Sequence, residues 1–198
     1  MEPLDADCVF LAAGTSSRMG TSKQLLLLEG RPLFLHGLER ALEICRRVIL
    51  VTGAADLSGW IPQVRELTVT ENPDYRLGQL SSLQRGLGEC RRDRIFVMLA
   101  DLPSVRRETF RLLWKALGEN PAVYPVCRGR RGHPVLLGRE AVERILRASP
   151  GEKAMEAIRP LGPRPVEVED PGIFRDADTP GDWEDLKASF SGPMPGGG

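Results

Sequence analysis

The sequence predicts a single α/β domain over residues 1–190, with a mostly parallel central sheet flanked by helices, and three observations carry that prediction. Cys8–Ala13 and Ile95–Ala100 are short, uninterrupted apolar runs bounded by polar turn residues, the pattern of strands covered on both faces. Between them, Pro32–Arg47 places Leu35, Leu38, Leu42 and Cys45 at helical spacing. Proline stands at a permitted early helical position and arginine at the end, where the helix dipole favours a cation. Strand then alternates with helix as far as Cys127, which implies parallel strands joined by right-handed crossovers.

In chain order, Val48–Thr52 and Leu67–Glu71 read as further strands, Ser81–Gly88 and Glu108–Leu117 as helices, and Ala122–Cys127 as a strand. The pattern then changes. Arg128-Gly129-Arg130-Arg131-Gly132 is a tight basic turn leading into His133–Leu137, which predicts a hairpin or arm outside the regular repeat. Gly138–Ser149 and Glu152–Ile158 read as helices, Pro165–Glu169 as extended chain and Pro180–Ser189 as a helix. Residues 191–198 are too rich in glycine and proline to pack and are expected to be disordered.

Composition excludes several classes of function. Lys+Arg and Asp+Glu are both 27, so the net charge is zero and a nucleic-acid binder driven by bulk charge is not expected. No apolar run approaches the roughly 18 residues of a bilayer span. The first residues, Met1-Glu2-Pro3-Leu4-Asp5, are acidic where a signal peptide is basic, so a cytoplasmic location is expected. The four cysteines are widely spaced with no C-x-x-C, which argues against a zinc site or a disulfide framework. Only four of the basic residues are lysines, so each lysine stands out.

The residues able to do chemistry concentrate at strand ends. Leu11-Ala12-Ala13-Gly14-Thr15-Ser16-Ser17-Arg18-Met19-Gly20-Thr21-Ser22-Lys23 follows the first strand directly. Small residues let backbone N–H groups approach an anion, and Arg18 and Lys23 add cations, a combination that would cradle a triphosphate. The loop is neither a Walker A motif nor G-x-G-x-x-G, and the absence of the latter argues against a nicotinamide oxidoreductase. A plain Gly/Ser turn carrying two solvated cations is the structural alternative.

This loop resembles that of the MobA-like molybdenum-cofactor nucleotidyltransferases, matching their L-A-x-G-x-S-x-R-M-G-x-x-K pattern at every fixed position. Asn72-Pro73 with Gly78-Gln79-Leu80-Ser81-Ser82-Leu83, Leu99-Ala100-Asp101-Leu102-Pro103, Gly132-His133-Pro134-Val135 and Asp176-Ala177-Asp178-Thr179-Pro180 follow in the order of that family. The resemblance spans about residues 8–186 and implies the Rossmann-like nucleotide-diphospho-sugar transferase fold.

Asp101 lies where a buried strand runs out, the end of an open α/β sheet at which ligands bind. A carboxylate there can hold Mg²⁺ against phosphate, with Mn²⁺ as a substitute, because Mg²⁺ needs only one or two carboxylates. It could equally cap the following helix. The resemblance nominates Asp178 as the second carboxylate, where a turn cap is the alternative. Ser81 and Ser82 open a predicted helix and offer hydroxyl and N–H groups to a base or ribose edge, or simply cap it. His133 resembles a residue on a family strand near the acceptor pocket, while a structural histidine is the ordinary reading. Two departures stand out. Leu80 replaces a third serine, and Ser149-Pro150-Gly151-Glu152-Lys153-Ala154-Met155-Glu156 replaces a G-D-x-G-[AS]-R segment, with Glu152 for the aspartate and no arginine.

The resemblance implies an enzyme in which Arg18, Lys23 and Asp101 act on the phosphates. Leu11, Ala12, Ala13, Gly14, Arg18, Lys23, Ser81, Ser82 and Asp101 would bind nucleotide, and Asp101 and Asp178 the metal. CTP is the implied donor and molybdopterin the acceptor, with contact to a molybdenum hydroxylase or its chaperone. Guanylyl members read Leu-Ala-Gly-Gly where this chain reads Leu11-Ala12-Ala13-Gly14, so the Ala13 methyl is expected to crowd a purine. A transferase acting on a sugar or alcohol phosphate, and a non-catalytic nucleotide-binding assembly partner, are the competing functions.

Overall fold

The computed structural model describes residues 2–14, 22–176 and 179–191. Arg18 and Asp178 therefore lie outside the described residues, as does the segment 192–198. The strands are β1 (Leu4–Leu11), β2 (Leu27–Leu28), β3 (Arg31–Pro32), β4 (Cys45–Thr52), β5 (Leu67–Glu71), β6 (Ile95–Leu99), β7 (Ala122–Cys127), β8 (Arg130–Arg131), β9 (Val135–Leu137) and β10 (Arg164–Glu167). The helices are α1 (Leu33–Ile44), α2 (Gln79–Leu87), α3 (Arg107–Leu117), α4 (Arg139–Leu146), α5 (Ala154–Ile158) and α6 (Pro180–Ser191).

The main sheet runs β10-β7-β9-β6-β1-β4-β5, with β8 paired to β7. β1 is parallel to both β4 and β6, β4 to β5, and β7 to β10. The apolar runs earn their continuity because both faces are covered. Cys8, Phe10, Phe96 and Met98 meet α1 and α3 through Phe34, Leu38, Phe110 and Leu113. Val9, Leu11, Val97 and Val51 meet α2, α4 and α5 through Leu80, Leu83, Ile145 and Ile158.

Two expectations are corrected here. His133–Leu137 does not form an arm outside the repeat, because Val135–Leu137 is inserted antiparallel between β6 and β7. All three residues are buried, so the segment is stabilised by filling the gap that the parallel strands leave. The hairpin alternative holds: the basic turn is the tip of a β7–β8 hairpin. The helix expected over Pro32–Arg47 ends at Ile44, and Cys45 opens β4 with no intervening loop. Among the described residues, no helix is long and apolar enough to cross a membrane.

Candidate active site

Because β1, β4, β5 and β6 are parallel, the residues that follow them emerge at one edge of the sheet. Ala12–Gly14, Gly53, Asn72 and Asp101 gather there. Past the strands, the ladder continues through Ala12 N–H to the Val51 carbonyl (2.9 Å), Ala100 N–H to Leu11 (3.0 Å) and Asn72 N–H to Thr52 (2.9 Å). The edge is thereby fixed backbone, which suits preorganised amide donors.

Lys23 starts a single 3-10 turn, Lys23–Leu25, on the return limb of the loop. Its ammonium Nζ lies 3.5 Å from Asp101 Oδ2, with 11% and 28% of the two side chains exposed. A lysine this buried is costly unless a partner offsets its desolvation. The structure therefore joins two of the sequence-predicted residues, from segments far apart in the chain.

A buried glutamine, Gln24, holds the two limbs of the loop together. Its Nε2 donates to the carbonyls of Ala12 (3.3 Å) and Gly14 (3.1 Å), and Ser22 donates its hydroxyl to Gln24 Oε1. The sequence reading missed this residue. The available signal was a polar side chain directly beside Lys23 at the start of an apolar run.

Ala13 is 1% exposed, so its methyl does not form an open wall against a base. The methyl instead packs against Gly53, where an added Cβ would sit 2.9 Å from both Ala13 Cβ and Ala13 O. The steric filter expected of Ala13 therefore has no exposed methyl to act through.

At the start of α2 the serines are engaged internally. Asn72 donates from Nδ2 to Ser81 Oγ (3.0 Å) and Ser82 Oγ (2.9 Å), and Ser81 donates onward to the Gly78 carbonyl at 2.8 Å. Ser82 is buried. The turn ahead of them takes Gly78 to φ 104°, a region that favours glycine. No side chain caps α2, and within its first turn the Ser81 N–H donates to the Gly78 carbonyl at 3.2 Å.

Beside this edge, between α2 and the segment after α4, lies a cavity of about 460 Å³ whose walls include Leu11, Leu80, Leu83, Val97 and His133. Gly151–Met155 form its rim, so the segment that departs from the family pattern faces the cavity, with Lys153 as its cation. Desolvation by burial pushes the His133 imidazole down to about 4, so the ring is neutral at pH 7.

The chain on the far side of position 178 also approaches Lys23. Thr179 begins α6 with a capping box, donating N–H and hydroxyl to Asp182 Oδ2 while accepting from the Asp182 N–H. Those hydrogen bonds hold the Asp182 carboxyl below the usual range, and the Lys23 charge adds to the shift. Leu186, Trp183 and Phe190 of α6 pack with Leu28 and Leu33, which anchors the C-terminal helix next to the Lys23 turn.

This geometry agrees with relationships to known proteins. Residues 8–166 match the model of the MobA-like NTP transferase domain. The chain is 30% identical over 187 residues to the molybdenum cofactor cytidylyltransferase of Escherichia coli, covering 93% of this chain and 97% of that one. In fold, the crystal structure of Rv0371c from Mycobacterium tuberculosis is similar with a TM-score of 0.80 at 24% identity, over 94% of this chain and all of the other. The manganese complex of the same mycobacterial protein gives a TM-score of 0.75 at 24% identity over the same shares. With the strand-end loop, Lys23 and Asp101 arranged as described and the family model matching across most of the chain, this protein belongs to the MobA-like NTP transferase family and is a nucleotidyltransferase.

Proposed function

We propose that this nucleotidyltransferase moves the cytidylyl group of CTP onto the terminal phosphate of molybdopterin. A phosphate oxygen of the acceptor attacks the α-phosphorus of CTP, the bond to the β-phosphate oxygen breaks, and pyrophosphate leaves. The acceptor is already an anion at neutral pH, so the reaction asks for positioning and charge neutralisation and not for a protein nucleophile. The observation that carries this reading is the Lys23–Asp101 pair beside the fixed backbone of Ala12–Gly14. The name of the E. coli relative supplies the choice of CTP and molybdenum cofactor.

In this reading Leu11, Ala12, Ala13 and Gly14 lay their backbone along the nucleotide, while Lys23 and Arg18 neutralise the triphosphate. Ser81 and Ser82 contribute by setting, through Asn72, the turn whose N–H groups meet a base or ribose edge. Asp101 would hold a divalent cation together with Asp178. Asp101 is an oxygen donor at a strand end with 28% of its side chain exposed. That fits Mg²⁺ or Mn²⁺, which take one or two carboxylates and fill the shell with water and phosphate oxygens, and manganese is present in a complex of the mycobacterial protein. Bound there, the cation would neutralise negative charge on the phosphates. The acceptor occupies the cavity bounded by Leu80, Leu83 and His133, where Lys153 can meet its phosphate.

The test is pyrophosphate release with CTP and GTP, each with molybdopterin, with a sugar phosphate and with no acceptor. CTP with molybdopterin is expected to give the fast reaction. Equal use of GTP would overturn the cytidylyl assignment, and release with a sugar phosphate but not with molybdopterin would overturn the acceptor.

A further inference from the structure

The two long walls of the cavity belong to different parts of the chain, and one side chain outside its lining ties them together. One wall is α2, through Gly78, Leu80 and Leu83, and the facing rim is Gly151–Met155, carried behind α4. Gln84 follows Leu83 on α2 and donates from Nε2 to the carbonyl oxygens of Ile145 and Ala148, both at 3.0 Å. These carbonyls lie at and just beyond the C-terminal end of α4, where helical carbonyls lose their intrahelical partners.

Beyond that point the rim is closed on itself. Ala148 N–H donates to Ile145 (3.1 Å), Glu152 N–H to Ser149 (3.1 Å) and Ala157 N–H to Lys153 (3.0 Å), while Arg144 Nε reaches back to the Ala157 carbonyl at 3.1 Å. Residues 144–157 are therefore a unit of consecutive short hydrogen-bonded turns, with Arg144 joining its start to its end. Among the described residues, the hydrogen bonds joining this unit to α2 are those of Gln84. The remaining attachment is apolar packing of Leu80 and Leu83 with Ile145 and Ile158. Apolar packing is non-directional, whereas one amide bonded to two carbonyls fixes a separation.

We propose that Gln84 is a positioning residue: it sets the width of the cavity, and with it the affinity for the second substrate, without touching either substrate. This rests on the reading that the cavity receives the phosphorylated acceptor. A glutamine is the side chain the geometry requires, because asparagine is one methylene short and an apolar residue of equal length cannot donate.

The experiment compares Gln84→Met with the intact enzyme, reading KM for molybdopterin and for CTP separately, together with amide hydrogen exchange at residues 149–155. Losing two ordinary hydrogen bonds is expected to raise KM for molybdopterin roughly tenfold. KM for CTP is expected to hold while exchange in the rim accelerates. Ala154→Trp, which fills the cavity from the rim, is the parallel variant and is expected to raise KM for molybdopterin as well. No effect of Ala154→Trp on that constant would overturn the placement of the acceptor. An effect of Ala154→Trp with acceptor KM and rim exchange unchanged in Gln84→Met would leave the placement standing and overturn the role of Gln84. Equal rises in both KM values would make Gln84 an ordinary structural prop and also overturn it. Should Gln84→Met fail to fold, Gln84→Asn reads the same quantities.

Discussion

Asp101→Asn is expected to lower kcat/KM by on the order of 10²–10³-fold, the size typical of removing one preorganised electrostatic group from a catalytic site. The amide keeps the shape of the carboxylate but loses the charge that faces Lys23 and would bind a divalent cation. The fold should survive. Asp101 stands beyond the end of β6 and keeps 28% of its side chain exposed, and the asparagine Oδ1 can still accept from the Lys23 ammonium, so the buried cation keeps a polar partner. The effect should therefore appear in steady-state kinetics at saturating Mg²⁺, with a melting temperature shifted by only a few degrees. Full Mg²⁺-dependent activity in the folded variant would remove Asp101 from the site.

Lys23→Ala is expected to produce the second large loss, through weaker triphosphate binding, slower transfer, or both. Lys115→Ala and Lys187→Ala are the matched controls. Lys115 is exposed on α3, and Lys187 is a half-buried residue of α6 paired with Glu184 one helical turn away at 2.6 Å. Such surface pairs contribute little. Lys23 is 11% exposed in its side chain, faces Asp101 and sits on the turn braced by Gln24, so its charge acts where water screens it less. Kinetic losses of equal size in all three variants would exclude a phosphate role for Lys23.

The legible and illegible parts of this molecule divide along the range of the interactions involved. β1 and β6 were readable because burial on both faces leaves a continuous apolar run in the sequence itself. Asp101 and the Ala12–Gly14 loop were readable because their chemistry follows directly from a strand end. β9 was not, since three apolar residues carry no period and only the gap between β6 and β7 makes them a strand. Ser82 presents a hydroxyl at a helix start, yet that hydroxyl accepts from Asn72, ten residues earlier. The Ala13 methyl reads as a contact for the base until Gly53, just past the end of β4, is seen beside it. Gln24 and Gln84 are ordinary polar side chains in sequence. Each acts on backbone carbonyls, which every residue has, so nothing in the partners' identity marks the pairing.

The most direct measurement of the central claim follows the α-phosphorus. With CTP labelled at the α-phosphate, molybdopterin and Mg²⁺, label is expected in a product joining CMP to the acceptor phosphate, one pyrophosphate being released for each label transferred. Asp101→Asn should slow both signals together and by the same factor. Label recovered as free CMP, or retained in CTP while the protein binds nucleotide normally, would contradict the transfer assigned to this site.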